Sequence, residues 1–346
     1  MTDVPLLTVA TVGAYLEAVG LVPSGVPVAA EELGGGISNV VLKVSWGEEA
    51  MVLKQSMPKL RVSADWPFDR RRTLVERDCL QLLGRLVPGA VPDVIFCDAD
   101  EYVLAISCVP DGGTLWKQAL MAGDVDDVAA GRAGALLGRI HRLSALDADA
   151  RDRFADQTVM IQGRTNPYHL TAAARHPSLA PAIEREVARL LSTRVALTLG
   201  DYSPKNLFVY DDRVVAIDFE VAHWGDPAFD VAFCLTHLVL KAMRFETRSA
   251  RYLAAAARFW ADYAAEGGGL AQEPDVVCEL GCLLLARIDG KSPIEYITAD
   301  PTRNRVRALA ASLITGGDGS VAAALGLAQT QSEAGAPVAS RSGAWT

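Results

Sequence analysis

The sequence predicts a two-lobed α+β chain: a small N-terminal lobe built on an antiparallel sheet, then a larger, mainly helical C-terminal lobe. Three observations carry this reading. Between about Glu32 and Leu104, short apolar or alternating runs are punctuated by turn residues. Beyond Val109, most apolar patterns recur at helical spacing. Between the two stretches stands the breaker cluster Pro110–Asp111–Gly112–Gly113. At 346 residues the chain is long enough for two cores. The expected division is an N-terminal nucleotide-binding lobe over 1–106, a hinge over 107–113, a C-terminal catalytic and acceptor-binding lobe over 114–314, and a tail over 315–346.

In order, Thr8–Val19 reads as an opening helix. Val40–Ser45 and Ala50–Gln55 flank the turn Trp46–Gly47–Glu48–Glu49, a hairpin signal. Arg70–Leu86 places Leu74, Cys79, Leu80, Leu82, Leu83 and Leu86 at helical spacing. Val94–Cys97 and Tyr102–Ser107 read as two further strands. The C-terminal lobe reads as helices at Val125–Leu143, Pro181–Leu191, Phe229–Arg244, Tyr252–Glu266, Pro274–Ile288 and Thr302–Ile314. Its only expected strands are Leu207–Tyr210 and Val214–Ile217. From Thr315 onward Gly, Ala and Ser dominate, the composition of a flexible appendage.

Composition excludes several classes. A net charge of −9 argues against a phosphate-backbone partner. The six cysteines form no CxxC pair, so a zinc site is not expected. The N-terminus has no basic region before its apolar residues, and no uncharged run reaches membrane-spanning length. A cytoplasmic chain without nucleic-acid or membrane partners is expected; the oligomeric state is not encoded.

The chemistry concentrates in 198–220, TLGDYSPKNLFVYDDRVVAIDFE. Asp201 and Asn206 lie in a loop opened by Gly200 and stiffened by Pro204. The hairpin that follows should return Asp218 to the side of Asn206. An amide oxygen and a carboxylate there can hold Mg²⁺, and Asp201 can align a hydroxyl for phosphoryl transfer. Upstream, Leu33–Asn39 contains Gly34, Gly35 and Gly36, whose backbone N–H groups can approach phosphate oxygens, with Ser38 and Asn39 completing the turn. Lys54 ends an apolar strand and can reach phosphates, held by Glu76 on the next helix. Ser107 and Val109 stand where backbone groups at a hinge would meet a base. Asp226 with Pro227 reads as a helix start, and Asp230, one turn on, serves the dipole or braces the loop. His141 reads as a packed helix residue. Late in the chain, Gly290 should end a helix, with Ser292, Pro293 and Glu295 capping another. Arg287, Asp289 and Lys291 would then stand at the mouth of an acceptor pocket.

These motifs together resemble the aminoglycoside phosphotransferase and choline kinase-like family, small-molecule kinases with a protein-kinase-like fold. The resemblance runs from about residue 30 to 312. It rests on Gly35–Asn39, Lys54, Glu76, LLGRIHRL around His141, GDYSPKN and IDFEVAHWGDPAFDVA. It implies ATP- or GTP-dependent, Mg²⁺-assisted phosphorylation of a small-molecule hydroxyl on an aminoglycoside, sugar or amino alcohol. Asp201 would be catalytic, and Asn206 and Asp218 would hold the metal. The short connection from Asp218 to Asp226 leaves no room for a peptide-docking segment. The family usually has His where this chain has Leu199, and often His at Ser203. That departure keeps a second reading open, a nucleotide-binding pseudokinase acting as a scaffold.

Overall fold

The computed structural model describes residues 4–34, 36–61, 66–316 and 319–334. Gly35, expected at the phosphates, lies outside the described residues, as does 335–346.

The small lobe is a five-stranded antiparallel sheet in the order β1-β2-β3-β5-β4. Its strands are β1 (Ala29–Glu32), β2 (Asn39–Trp46), β3 (Glu49–Ser56), β4 (Val94–Asp98) and β5 (Val103–Ser107). The period-two alternation of strand side chains explains the lobe. Val40, Leu42 and Val44 on β2, Met51 and Leu53 on β3, and Val103 and Ala105 on β5 fill one core together with Val12 and Leu16. The last two belong to helix α1 (Val12–Ala18), shorter than the sequence suggests. Leu104 and Ile106 fall on the opposite face, against α2 (Arg72–Leu86), and join the core of the large lobe. Glu76 on α2 thereby faces Lys54 on β3.

The chain leaves the small sheet at Ser107. It next forms a strand at Thr114–Leu115, which pairs with Leu207–Val209 of the large lobe. The hairpin forms in the register Leu207↔Ala216 and Phe208↔Val215. Two strands that the sequence did not signal, Ala196–Thr198 and His223–Gly225, pair beside it. Each has three residues, too few to show a period.

The remaining lobe is helical. The Asp127–Ala145 helix packs so tightly on Ser249–Glu266 that a Cβ at Gly134 would stand 2.0 Å from the Phe259 carbonyl oxygen. This close approach brings Tyr263 to His141. Between Ile161 and Leu170 the chain forms a π-helix, interrupted by Pro167.

Two expectations are corrected. No helix begins at Pro293: the next one runs Asp300–Thr315. Ser292 instead accepts a hydrogen bond from Arg287 through its hydroxyl (3.0 Å) and another through its carbonyl, so it caps nothing. The tail is also not wholly an appendage. Val321–Glu333 is a helix whose N-cap Ser320 accepts from Ala323 N (3.1 Å). Its residues Val321, Ala324, Leu325 and Ala328 are buried in the main core. Small residues at helical spacing gave little hydrophobic signal but suffice to pack closely.

Leu325→Ala is therefore expected to lower unfolding free energy by about 2 kcal/mol. The urea midpoint of the full chain reads this, and an unchanged midpoint would return the segment to the status of an appendage.

Candidate active site

Lys54 stands on β3 between Val41 and Leu104 on the neighbouring strands. Its Nζ lies 2.5 Å from Glu76 Oε1 and 2.7 Å from Asp218 Oδ1. One ammonium thus serves two carboxylates from different lobes. Burial works against the charge on Lys54, but Asp218 and Glu76 outweigh it and raise its pKa above the lysine range. Burial also opposes the charge on Asp218, yet Lys54 and Lys205 hold it down at about 2. Glu76 is pushed up to about 7, first by burial, then by Asp218 and Glu220. Asp218 is the ionised partner. Its φ of 70° is a backbone conformation that side chains other than Gly rarely adopt, and strain of this kind gathers at functional sites.

Ile217 N donates to the Asn206 carbonyl (2.9 Å), which sets Asp218 beside Asn206 as the hairpin predicts. Asn206 Nδ2 donates to Asp201 O (3.0 Å), fixing the amide so that its oxygen is the end left for a cation. Among the described residues no three His, Cys, Asp or Glu cluster as a metal site. That agrees with the donor set here. Mg²⁺ is commonly held by one or two protein oxygens while substrate phosphates supply the rest.

Asp201 is buried. Its Oδ2 pairs with Lys205 Nζ (2.7 Å) and Arg164 Nη2 (3.2 Å). Its Oδ1 is buried without a hydrogen-bond partner. Arg164 also donates to Gly200 O (2.6 Å), tying the loop to the π-helix.

The loop is held from below by Asp230, which accepts from Leu199 N (2.6 Å) and Gly200 N (2.7 Å). His141 Nε2 lies 3.1 Å from the same carboxylate, and its Nδ1 lies 3.0 Å from Tyr263 Oη. Asp230 therefore braces the loop. His141, a packed helix residue as expected, supports it. A side chain at Leu199 is not needed for this contact, because the backbone makes it.

Several expectations shift. The Asn39 side chain donates to Glu220 (2.9 Å) and accepts from Ser56 (3.1 Å), so it closes the lobes rather than facing phosphates. Glu220 also receives Arg72 Nε (3.1 Å), and Arg72 reaches the Ser38 carbonyl (2.5 Å). Ser38 and Gly36 border the outer turn, where Gly36 is exposed. Ser107 N–H is taken by Asp93 O (2.9 Å), so it is not open to a base. Val109 lies in the connecting segment between the lobes. Asp289 is paired with Arg307 (2.7 Å) and His176 (2.8 Å). Arg287 donates to Tyr168 Oη (3.2 Å) as well as to Ser292. Lys291 alone of the three lines a cavity of about 730 Å³ between Trp66–Arg71, Tyr102 and the π-helix. Neither Lys54, Asp201, Asn206 nor Asp218 lines that cavity.

Sequence reasoning missed Arg164, Lys205, Arg72, Glu220 and Lys241. Lys205 and Glu220 could have been found, since they sit inside the two motifs. Arg164 could not, because nothing in 161–170 signals a π-helix.

The profile of the phosphotransferase enzyme family matches residues 29–280. This chain belongs to that family. It is 27% identical to a methylthioribose kinase of Yersinia enterocolitica, over 62% of this chain and 60% of the relative. The chain thus spans about 60% of the length of that curated relative. Solved structures with a similar fold include a choline/ethanolamine kinase family protein from Mesorhizobium loti. That match has a TM-score of 0.51 at 15% identity, covering 93% of this chain and 99% of that one. An amicoumacin kinase solved with AMP-PNP and Ca²⁺ has a TM-score of 0.56 at 12% identity, covering 87% of this chain and 92% of that one. The fold of this family member is protein-kinase-like, with a small antiparallel-sheet lobe and a helical lobe. No helix among the described residues is long and apolar enough to cross a membrane.

A buried cation sits on the helix that carries Asp230. Along Pro227–Arg244, Asp230, Phe233, His237 and Lys241 share one face. Lys241 is 1% exposed and donates to His237 O at 3.3 Å. Burial, then the charge of Lys117, brings its pKa down to about 7.

Two outcomes follow. Asp230→Ala removes the acceptor of two loop N–H groups and strands His141, so stability should fall by about 3 kcal/mol in urea unfolding. A loss under about 0.5 kcal/mol would contradict the brace. For Lys241 the folded pKa of about 7 lies below the ordinary value of 10.5. The unfolded chain then binds the proton more tightly, so stability rises with pH between these values. Wild type should gain stability from pH 7 to pH 9 relative to Lys241→Met; equal slopes would contradict it.

Proposed function

We propose that this chain is an ATP-dependent kinase that moves the γ-phosphoryl group to a hydroxyl of a small molecule. The observation that carries this reading is Asp201. Its Oδ2 is fixed by Lys205 and Arg164, while the buried Oδ1 has no partner. A buried acceptor atom without a donor is costly, and a substrate hydroxyl would supply the missing donor.

The residues present fit the expected roles. Lys54, steadied by Glu76, would bind the nucleotide phosphates as a point charge. Asn206 and Asp218 would hold Mg²⁺, which neutralises charge developing on the phosphates when bound. Asp218 is suited because its carboxyl stays ionised. Asp201 would orient the hydroxyl and accept its proton as the bond to phosphorus forms. Lys205, 2.7 Å from Asp201, stands where it could meet the transferred group. Gly36 and Ser38, with Gly35, would border the phosphates, and Val109 would meet the base. A cytoplasmic enzyme remains the expectation from the sequence.

The pseudokinase reading rested on Leu199. The loop is braced through the backbone N–H groups of Leu199 and Gly200 on Asp230, contacts that do not depend on the side chain at position 199.

A coupled ADP-release screen over hydroxylated metabolites tests the proposal. Turnover with a hit should fall by at least about a thousandfold in Asp201→Ala. Binding of a fluorescent ATP analogue should stay within about threefold, since Asp201 does not face the nucleotide. Undiminished turnover in the variant would overturn the role of Asp201.

A further inference from the structure

Beside Asp201 the large lobe presents a wall of cations and aromatic rings. The Arg164 guanidinium lies 5.5 Å from the Tyr168 ring centre and 5.4 Å from that of Phe233. Arg287 lies 5.7 Å from the Tyr168 ring on its own side. Phe233 meets His237 edge-on at 5.3 Å, and the His237 carbonyl receives Lys241. Lys241 in turn lies 5.4 Å from the Tyr296 ring centre. A continuous run of contacts therefore links the catalytic carboxylate to the buried lysine.

The charge along this run is unbalanced. Its carboxylates are Asp201, already shared by Arg164 and Lys205, and Glu295, paired with Lys117 at 2.7 Å. Asp218 reaches it only from the nucleotide side, where Lys54 neutralises it. Neither Arg287 nor Lys241 has a carboxylate within salt-bridge distance among the described residues. Two polar atoms here are buried without a partner: Arg287 Nε and Tyr296 Oη. The segment above them, 290–299, is irregular rather than helical or extended. Buried cations are ordinarily paired, and buried donors ordinarily bonded. An anion would correct both deficits.

Four acids on the helices of this lobe that could instead receive a cationic acceptor each have a partner. Asp262 pairs with Arg258, Glu266 with Arg142, Glu279 with His169 and Asp289 with Arg307.

We infer that the acceptor hydroxyl belongs to a molecule that also carries a carboxylate or phosphate, received by Arg287 and Tyr296 over the charge of Lys241. This rests on the kinase reading and narrows it: an amino sugar or amino alcohol would meet cations at the site. The depressed pKa of Lys241 is what a cation lacking its anion should show.

Two arms test the inference. In the first, matched pairs serve as acceptors with Mg-ATP: glycerol against glycerate, and ribose against ribose 5-phosphate. The anionic member should have a kcat/KM at least about tenfold higher, and Lys241→Met should close the gap through KM. Preference for the neutral member, or a gap untouched in Lys241→Met, overturns the inference while leaving the kinase reading intact. If no pair is phosphorylated, the kinase reading still rests on its wider metabolite screen, and the second arm decides the inference alone. There, wild-type protein saturated with Mg²⁺–AMP-PNP is titrated with malonate, and the Lys241 ammonium is followed by NMR. Malonate should raise its titration midpoint by about one unit, and chloride at equal ionic strength should not. No shift with malonate overturns the inference. This arm needs no variant, so misfolding cannot obscure it.

Discussion

The candidate catalytic loop depends on one buried carboxylate. Asp230 sits in the first turn of Pro227–Arg244, where the helix dipole favours its charge. It receives the N–H groups of Leu199 and Gly200, and His141 from the Asp127–Ala145 helix. Gly200 adopts a φ of 75°, and a Cβ there would stand 2.8 Å from the Val221 carbonyl oxygen. The turn that presents Asp201 is therefore set by a glycine conformation and locked by one side chain. His141, which meets that side chain, sits on a helix packed closely on its neighbour at Gly134. A distance of several elements in sequence collapses to a few hydrogen bonds.

A second balance governs the cleft between the lobes. Lys54 and Arg72 from the small lobe face Glu76, Asp218 and Glu220. Burial and its acidic neighbours push Glu76 up, while Lys54 and Lys205 keep Asp218 ionised. Deeper in the large lobe the sign reverses, and cations predominate around Tyr168 and Tyr296. The two poles lie on either side of Asp201.

Much of this was legible from residue order. The hairpin register, Lys54 with Glu76, and the helix start at Asp226 follow from local rules: strand alternation, turn residues and capping. The Asp226 side chain accepts from Ala228 N (2.9 Å), as that rule requires. What stayed hidden depends on tertiary packing. The π-helix has no periodic signature, so nothing in the sequence marks Arg164. The Val321–Glu333 helix is built of residues too small to mark a core. Ser292 and Glu295 formed a capping pattern, but Arg287 claimed Ser292 first. Asp289 looked free for an acceptor because its partners, His176 and Arg307, are far away in sequence.

Direct observation of the transferred group would test the central claim, that this chain moves a phosphoryl group from a nucleotide to a small molecule. Purified protein with γ-³²P-labelled ATP and a deproteinised metabolite extract would be resolved by chromatography. The account predicts label on a new small molecule when Mg²⁺ is present, and its loss in Asp218→Ala. Label found solely on ATP, inorganic phosphate or the protein itself would contradict it.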